Sequence, residues 1–235
     1  MITGATYMKK IGIIGGIGPE STLDYYRGII DAFKPEYDRC GYPEIIIDSL
    51  DLRSTAALMD GKWDELTRLF SERFERLRLA GADFGVIASN SPHRVFDEIR
   101  RGTRLPLLSI VDETCRHVAE KGIRSVCLLG TGFTMRSDFY VKAFAEKGIS
   151  AAVPAEDEIE YIQEQLFTEI ELGVMKDSTR EELVRIIGRV HSRTPIEGVV
   201  LGCTELPLIL RPGDFPFECI DTTEIHVAGI VRRCR

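Results

Sequence analysis

The feature that most restricts the fold of this 235-residue chain is an internal repeat. Three segments of the first half recur in the second half in the same order, namely 10–29 as 125–144, 85–94 as 198–207 and 105–118 as 215–227. The offset, measured from Gly15 to Gly130, from Ser89 to Cys203 and from Pro106 to Pro216, is 115, 114 and 110 residues. Three matches at nearly one offset indicate a duplicated unit and therefore predict two similar lobes.

Each copy alternates short apolar runs with longer segments of helical period. In the first copy the apolar runs lie at 11–16, 44–51 and 84–90, and the helical segments lie at 19–33 and 64–83. This alternation predicts an α/β fold whose parallel sheets are covered by helices on both faces. Open sheets of this kind bind ligands at the carboxyl ends of their strands, so we expect the active site in a cleft between two lobes related by pseudo-twofold symmetry.

The repeat also sets the expected boundaries. Residues 1–7 match nothing in the second copy and are predicted to be a tail or tag remnant. The first lobe is expected over 8–104, with a strand and helix at 105–122 leading to the crossover, and the second lobe over 123–215. The C-terminal strand and helix at 216–235 are expected to close a lobe or to pack back on the first.

Composition excludes several classes of function. The chain carries 37 acidic against 30 basic residues, a formal charge of −7, which is the wrong sign for neutralising nucleic-acid phosphates. No apolar run approaches the roughly 20 residues needed to span a bilayer, and no signal peptide is recognisable, so a cytoplasmic protein without a membrane partner is expected. The six cysteines are scattered, and no cluster has metal-ligand spacing, so neither a disulfide scaffold nor a metal is expected.

The loop at 15–19, GGIGP, places backbone N–H groups between a strand and a helix, where they suit an anion. Three interpretations stay open at this stage: a dinucleotide loop, a carboxylate-binding loop and a plain tight turn. The dinucleotide fingerprint needs a third glycine where Ser21 stands, and an acid about 20 residues further on, whereas Asp48 and Asp51 come later.

Ser89 and Cys203 occupy equivalent places in the two copies, each at the end of an apolar strand and followed by polar residues. If the lobes face each other, the two side chains reach one small ligand from opposite faces, as proton exchange at a stereocentre requires. A thiol at a helix N-terminus suits this task, because backbone N–H groups lower its pKa from about 8.5 towards neutrality. The competing interpretation is that Cys203 is a small buried hydrophobe.

The remaining candidates for chemistry are weaker. His93 follows Ser89 by four residues and is a candidate hydrolase base, but the sequence has no GxSxG elbow. Glu205 and Asp51 are candidates to orient bases or substrate near the expected cleft. The other five cysteines lie in helix, strand, loop or terminal contexts and are assigned no chemistry.

Four segments in this order, IGIIGGIGPESTLDYY, IASNSPH, LLGTGFTMRSDFY and VLGCTELPLIL, resemble the aspartate/glutamate racemase family over nearly all of residues 8–235. The resemblance implies two Rossmann-like lobes, racemisation of an acidic amino acid without pyridoxal phosphate or any other cofactor, and a homodimer. It also implies two opposed catalytic cysteines. The second, in the GCTE motif, falls on Cys203, and the first falls on Ser89.

Ser89 departs from the usual family pattern. A serine hydroxyl is too weak an acid, and its alkoxide too rare at pH 7, to be the balanced partner of a thiol. The branch of the family specific for L-aspartate and L-glutamate carries threonine at this position, and Ser89 is similar to that arrangement. The implied mechanism is asymmetric. Cys203 removes or returns a proton on one face of the substrate, and Ser89, alone or with a water, relays a proton on the other face. An alternative is that serine replaces a native cysteine.

The resemblance also implies the substrate-binding groups, which are hydrogen-bond donors in four loops. They are Gly16, Ile17 and Gly18 in the first loop, Asn90 and Ser91 after the first catalytic position, Thr131 and Thr134 in the second-copy loop, and Thr204 after the second catalytic position. These donors are expected to hold the α-carboxylate and stabilise an enolate-like carbanion. Arg53 is the best candidate cation for the side-chain carboxylate, with Arg136 and Lys176 behind it.

Two other functions stay open. A weakly active or inactive member of the family would bind a small dicarboxylate or amino acid, an interpretation motivated by the missing first thiol. A related isomerase or decarboxylase would act on another carboxylic acid.

Overall fold

Strands and helices alternate along the part of the chain that the computed structural model describes, residues 8–235, and the predicted tail at 1–7 lies outside the described residues. The strands are β1 (Ile11–Gly15), β2 (Ile45–Ser49), β3 (Phe84–Ile87), β4 (Ser125–Gly130), β5 (Ser150–Ala152), β6 (Gly198–Gly202) and β7 (Glu218–Asp221). The α-helices are α1 (Pro19–Phe33), α2 (Tyr37–Cys40), α3 (Leu52–Met59), α4 (Trp63–Leu79), α5 (Phe96–Gly102), α6 (Ile110–Glu120), α7 (Gly132–Arg136), α8 (Phe139–Glu146), α9 (Glu156–Thr168), α10 (Asp177–Arg193), α11 (Leu206–Ile209) and α12 (Thr222–Cys234). Short 3-10 turns lie at Lys34–Glu36, Ser91–Val95 and Ile170–Leu172.

The chain divides into two compact units. The first comprises the described residues up to Glu113 together with Thr223–Arg235, and the second comprises Thr114–Thr222. The boundary therefore runs within α6, and the C-terminal segment contributes its strand to the second unit and its helix to the first.

The first unit is built on a three-stranded parallel sheet in the order β2-β1-β3. β1 is buried along its whole length, as its continuous apolar run predicts for a parallel strand covered on both faces. The strand expected at the start of 105–122 is replaced by a single parallel bridge between Gly85 and Leu107. Pro106 has no N–H with which to extend this ladder.

Helices cover both faces of this sheet. Because successive side chains of a strand point to opposite faces, Ile14 packs in the cluster that contains α4, whereas Ile11 and Ile13 pack with α1 and α12. The buried residues of α4 recur at helical spacing and are Leu66, Phe70, Phe74 and Leu77.

A close approach of α4 to the sheet requires glycine in β3. A Cβ atom at Gly85 would lie 2.6 Å from the ring of Phe74 and 2.9 Å from the side chain of Leu105. No side chain fits between the strand and the helix at this point, so the glycine allows the phenylalanine to pack directly on the backbone.

The helix α12 is held in the first unit by apolar and polar contacts. Val227 and Ile230 join the apolar cluster of β1 and α1. His226 is fully buried, with Nδ1 2.8 Å from the hydroxyl of Tyr25 and Nε2 3.2 Å from the carbonyl oxygen of Leu108. A carbonyl oxygen only accepts, so Nε2 carries the proton and the tyrosine hydroxyl donates to Nδ1.

The second unit holds a four-stranded parallel sheet in the order β5-β4-β6-β7. This order repeats that of the first sheet, with β5, β4 and β6 in the places of β2, β1 and β3, and with β7 in the place of the bridged segment. One face packs residues of β4 and β6 against α9 and α10. The predicted α/β class with two similar parallel sheets is therefore confirmed.

Candidate active site

The loop after β1 turns sharply at Gly16, whose φ of +83° lies in the left-handed region that favours glycine. A Cβ atom there would collide with the carbonyl oxygen of Leu50. The N–H of Gly16 donates to Oγ1 of Thr22 at 2.8 Å, so this group is already used within the loop. Gly18 directly precedes α1, where the first N–H groups of the helix have no partner inside the helix. An anion at this loop would therefore be bound by the N–H groups at the start of α1 rather than by the N–H of Gly16.

Ser89 lies two residues beyond β3, and only 9% of it is exposed. Ser21 of α1 donates its hydroxyl to the carbonyl oxygen of Ala88 at 3.0 Å, which fixes the end of β3 beside the start of α1. Asn90 is buried and Ser91 is half-buried. Because β1 and β3 are neighbours in the sheet, the two loops predicted to bind substrate in the first copy meet at one edge of the sheet.

His93 is not a base for Ser89. Its Nε2 accepts the N–H of Ile110 at 3.4 Å, and its ring stacks on that of Phe96 with centroids 4.6 Å apart. Burial lowers the pKa of His93 to about 3. The imidazole is a neutral part of the core, and the hydrolase pairing considered from the sequence does not form.

The corresponding loop after β4 is organised by its own side chains. The hydroxyl of Thr131 accepts the N–H of Thr134 at 3.2 Å and caps α7. Gln163 of α9 accepts the N–H of Gly132. The Thr134 side chain is fully buried, with its hydroxyl 3.2 Å from that of Thr131. Of these two threonines, Thr131 retains exposed surface, while Thr134 shapes the loop.

Two side chains that follow β6 donate hydrogen bonds to the carboxylate of Glu205. Cys203 follows the strand directly, is 7% exposed, and donates its thiol hydrogen to Oε2 of Glu205 at 2.9 Å. The hydroxyl of Thr204 donates to the same oxygen at 2.8 Å. The carboxylate of Glu205 therefore holds the candidate thiol and the neighbouring hydroxyl together.

The acidic thiol expected at Cys203 is not found. Burial raises the pKa of Cys203 well above its ordinary value, and the negative charge of Glu205, the hydrogen bond to it and, more weakly, Glu171 act in the same direction. The N–H of Glu205 acts in the opposite sense. The following helix α11 has only four residues and begins after an acid, so its dipole is too weak to dominate.

Glu171 is a residue that the sequence reasoning missed. It lies in the 3-10 turn Ile170–Leu172, which packs against α11. Partial burial of its carboxyl group and the nearby charge of Glu205 raise the pKa of Glu171 to about 7. No motif marks this residue, because Glu171 in the segment TEIELG, which also contains Glu169, resembles the surface acids around it.

Three cations are candidates for a second carboxylate of the substrate. Arg136 pairs with Glu156, and Lys176 pairs with Glu169 at 2.6 Å. Arg53 is exposed near the start of α3, and its guanidinium forms no ion pair with any residue between 8 and 235. It is the candidate without an ion pair among the described residues, although its charge helps to lower the pKa of the nearby Asp51.

Comparison with known proteins assigns the chain to a family. The sequence profile of the Asp/Glu/hydantoin racemase family matches residues 14–230. The chain belongs to the Asp/Glu/hydantoin racemase family. The resemblance predicted from the four motifs and the expected enzyme class, an amino-acid racemase, are confirmed at the level of this family.

Individual members of the racemase family are similar over nearly the whole chain. The broad specificity amino-acid racemase RacX of Bacillus subtilis (strain 168) is 26% identical over 216 residues, which are 91% of this chain and 92% of RacX. The structure of an aspartate racemase homologue from Pyrococcus horikoshii OT3 is 39% identical, with a TM-score of 0.84 over 96% of this chain and 98% of that one. A candidate Asp/Glu racemase from Yersinia pestis is 32% identical, with a TM-score of 0.89 over 97% and 99%.

Two further observations on the described part of this racemase-family chain concern metal binding and membrane-spanning helices. Between residues 8 and 235, no three His, Cys, Asp or Glu side chains are grouped so as to hold a metal ion. No helix in the same range is both long enough and apolar enough to cross a membrane.

Proposed function

We propose that this member of the racemase family racemises an acidic amino acid, aspartate or glutamate, without a cofactor. The observation that carries the proposal is the thiol of Cys203, held on the carboxylate of Glu205 at the carboxyl end of β6. A thiol beside a group that accepts its proton can act as an acid and as a base at the α-carbon of a substrate. The likeness to an aspartate racemase homologue at 39% identity supports an acidic substrate.

In the proposed reaction Cys203, as the thiolate, removes the α-proton of the bound amino acid. The C–H bond breaks, an S–H bond forms, and the electron pair moves into the α-carboxylate as an enolate. Hydrogen-bond donors to that carboxylate would stabilise the charge as it develops. We assign this role to the backbone of Ile17 and Gly18, to the side chains of Asn90, Ser91 and Thr131, and to Thr204 once its hydroxyl turns from Oε2 of Glu205 to the substrate. Arg53 is assigned to the side-chain carboxylate of the substrate.

We assign Ser89 to the opposite face of the α-carbon, because the repeat makes it the counterpart of Cys203. Its hydroxyl relays a proton but does not form a stable base at neutral pH. Exchange of the α-proton with solvent is therefore expected to be faster for one enantiomer than for the other.

The test follows loss of the α-proton signal by NMR in D2O, with L- and D-aspartate and L- and D-glutamate. We expect exchange with the wild-type protein, loss of exchange in Cys203→Ala, and retention in Cys40→Ala, whose thiol lies at the end of α2 and contacts the backbone of Glu36. Ser89→Cys is expected to speed exchange of the enantiomer that exchanges more slowly. Full exchange in Cys203→Ala contradicts the mechanism, and saturable binding without exchange in any form identifies a binding protein instead.

The homodimer and the cytoplasmic location expected from the sequence stay predictions. Sedimentation of the full chain measures the first, and fractionation of cells that express it measures the second.

A further inference from the structure

One edge of the sheet in the first unit has no strand beside it among the described residues. In the order β2-β1-β3, β2 pairs with β1 alone. At its two ends the carbonyl oxygen of Glu44 and the N–H of Leu50 bond to β1, each at 2.9 Å. Backbone groups alternate in direction along a strand, so the N–H and C=O groups of Ile45, Ile47 and Ser49 point away from β1.

The sequence of β2 does not protect this edge from pairing with another chain. Edge strands are usually protected by a lysine, a proline or a bulge, whereas residues 45–49 read IIIDS. The one charged side chain, Asp48, pairs with Arg73 of α4 at 3.2 Å and so is held over the sheet face instead of the edge. Ile47 is 39% exposed. A strand of this composition is expected to be covered when the protein is assembled.

The side of α1 next to this edge is apolar as well. Gly28 faces α12, which packs beside β3 on the same face of the sheet. At about 100° per residue, Leu23, Tyr26 and Ile30 project from the opposite side of the helix, towards β2. Leu23 is 52% exposed and Tyr26 is 48% exposed. The unpaired strand and the apolar side of the helix together form one surface, which we call the β2 edge.

We propose that the β2 edge binds a second copy of this chain, with the two β2 strands antiparallel about a twofold axis at Ile47. Such an axis is perpendicular to the sheet, so the two copies of α1 lie on the same face and their apolar sides meet across it. The inference goes beyond the proposed reaction and does not depend on it, because only the strand, the helix and their surroundings enter the argument.

The backbone pattern selects this register. When Ile47 lies opposite the partner's Ile47, Ile45 lies opposite the partner's Ser49, and the reverse holds across the axis. Each of these three residues then donates its outward N–H and accepts at its outward C=O. A shift by one residue would place outward groups opposite inward ones. A shift by two would place Asp48 opposite itself, or Ser49 opposite Pro43, which has no N–H to donate.

Charged and apolar side chains match in the same register. The two acids of the segment 44–50, Glu44 and Asp48, fall opposite apolar residues, so no two like charges oppose each other. Beyond the strand ends, Tyr42 of one copy comes near Leu52 of the other, and each of these side chains is 42% exposed in the single chain. A surface that is complementary to itself in this way is what a twofold dimer requires.

Sedimentation equilibrium of the full chain tests the surface. The wild-type protein is expected at twice the 26.4 kDa of one chain. Ile47→Lys opposes two ammonium groups on the axis, and Ile47→Pro removes an outward N–H while leaving the bonds to β1 in place. Each change is expected to raise the Kd of the dimer by about 100-fold or more, since like charges across an interface cost several kcal/mol and each change occurs twice.

Phe167→Lys is the matched control for these changes, because Phe167 lies in α9 of the second unit and is 49% exposed. It is expected to stay dimeric. Circular dichroism of each variant shows whether the chain is folded.

Cysteine cross-linking tests the register. Ile47→Cys places two thiols opposite each other, with about 5.5 Å between the Cα atoms, which is within reach of a disulfide. Ser49→Cys is the matched control on the same edge, because its counterpart lies four residues further along the opposite strand, about 13 Å away. With oxidised glutathione, Ile47→Cys is expected to form a covalent dimer, whereas Ser49→Cys and the wild-type protein are expected to stay as single chains on a non-reducing gel.

A wild-type protein that sediments as a single chain overturns the inference and leaves the β2 edge to residues 1–7 or to another protein. Dimers that persist in both Ile47→Lys and Ile47→Pro overturn it as well, and equal cross-linking of the two cysteine variants rejects the register. If a substitution at Ile47 unfolds the chain, the cross-linking result decides. None of these measurements uses racemisation, so failure here is distinguishable from failure of the proposed function.

Discussion

Arg53 is the residue that would distinguish an acidic amino acid from a neutral one in the proposed site. A hydrogen bond to a charged group contributes about 1.5–3 kcal/mol, so Arg53→Gln is expected to lower kcat/KM for aspartate or glutamate by about tenfold or more. Steady-state kinetics with aspartate and with alanine measure the effect. The alanine rate is expected to stay unchanged, because that substrate has no second carboxylate.

Arg136→Gln is the control for this change, since Arg136 is exposed and already paired with Glu156. An equal loss of activity in Arg136→Gln, or an equal loss with alanine in Arg53→Gln, would remove Arg53 from the assignment.

Cys203 illustrates which properties of the site can be predicted from the sequence. The repeat and the motif GCTE place Cys203 at a strand end, and the structure has it there. Its acidity was not predictable, because that depends on where the Glu205 carboxylate points and on a turn 32 residues earlier in the chain. Side-chain direction and long-range packing set the pKa, and neither is visible in local spacing.

At the scale of elements, the packing of α4 on β3 gives a test of the fold. Gly85→Ala is expected to lower the free energy of unfolding by about 1–3 kcal/mol, because the new methyl group would overlap the ring of Phe74. Gly188→Ala on the exposed face of α10, where nothing lies within 4 Å, is expected to raise it by about 0.5–1 kcal/mol through helix propensity. Urea unfolding measures both. Equal effects at the two sites would mean that the close contact does not constrain the strand.

Elements with a strong apolar period were predictable, and those set by tertiary contacts were not. The run that forms β1 and the buried stripe of α4 follow directly from the sequence. The segment 105–109 has the same apolar character but forms only one bridge, because pairing needs free N–H groups as well as apolar side chains. The assignment of α12 to the first unit depends on buried contacts that no local pattern encodes.

At the scale of the whole molecule, two buried histidines make stability depend on pH. Burial lowers the pKa of His93 and of His226 to about 3, whereas a histidine in the unfolded chain has a pKa of about 6.5. Between these values the unfolded chain binds more protons, so the free energy of unfolding falls as the pH falls, by about 1.4 kcal/mol per pH unit for each imidazole.

Glu171 acts in the opposite sense, because its folded pKa of about 7 exceeds its ordinary value of 4.5 and the folded chain binds the extra proton between them. Two imidazoles outweigh one carboxyl group, so stability measured by urea unfolding is expected to decline from pH 6 to pH 4. The decline is expected to be steeper in Glu171→Gln and shallower in His93→Gln. Constant stability over this range would show that the histidines are not buried in their neutral form.

Because α12 belongs to the first unit, that unit is completed after the second during synthesis of the chain. Residues 114–222 are continuous, so the second unit has all its parts as soon as that stretch has emerged from the ribosome. The first unit, although most of it is made earlier, waits for 223–235. In that interval the apolar cluster around β1 and α1 lacks the residues that α12 supplies, and this open face is where a nascent chain would meet chaperones or aggregate.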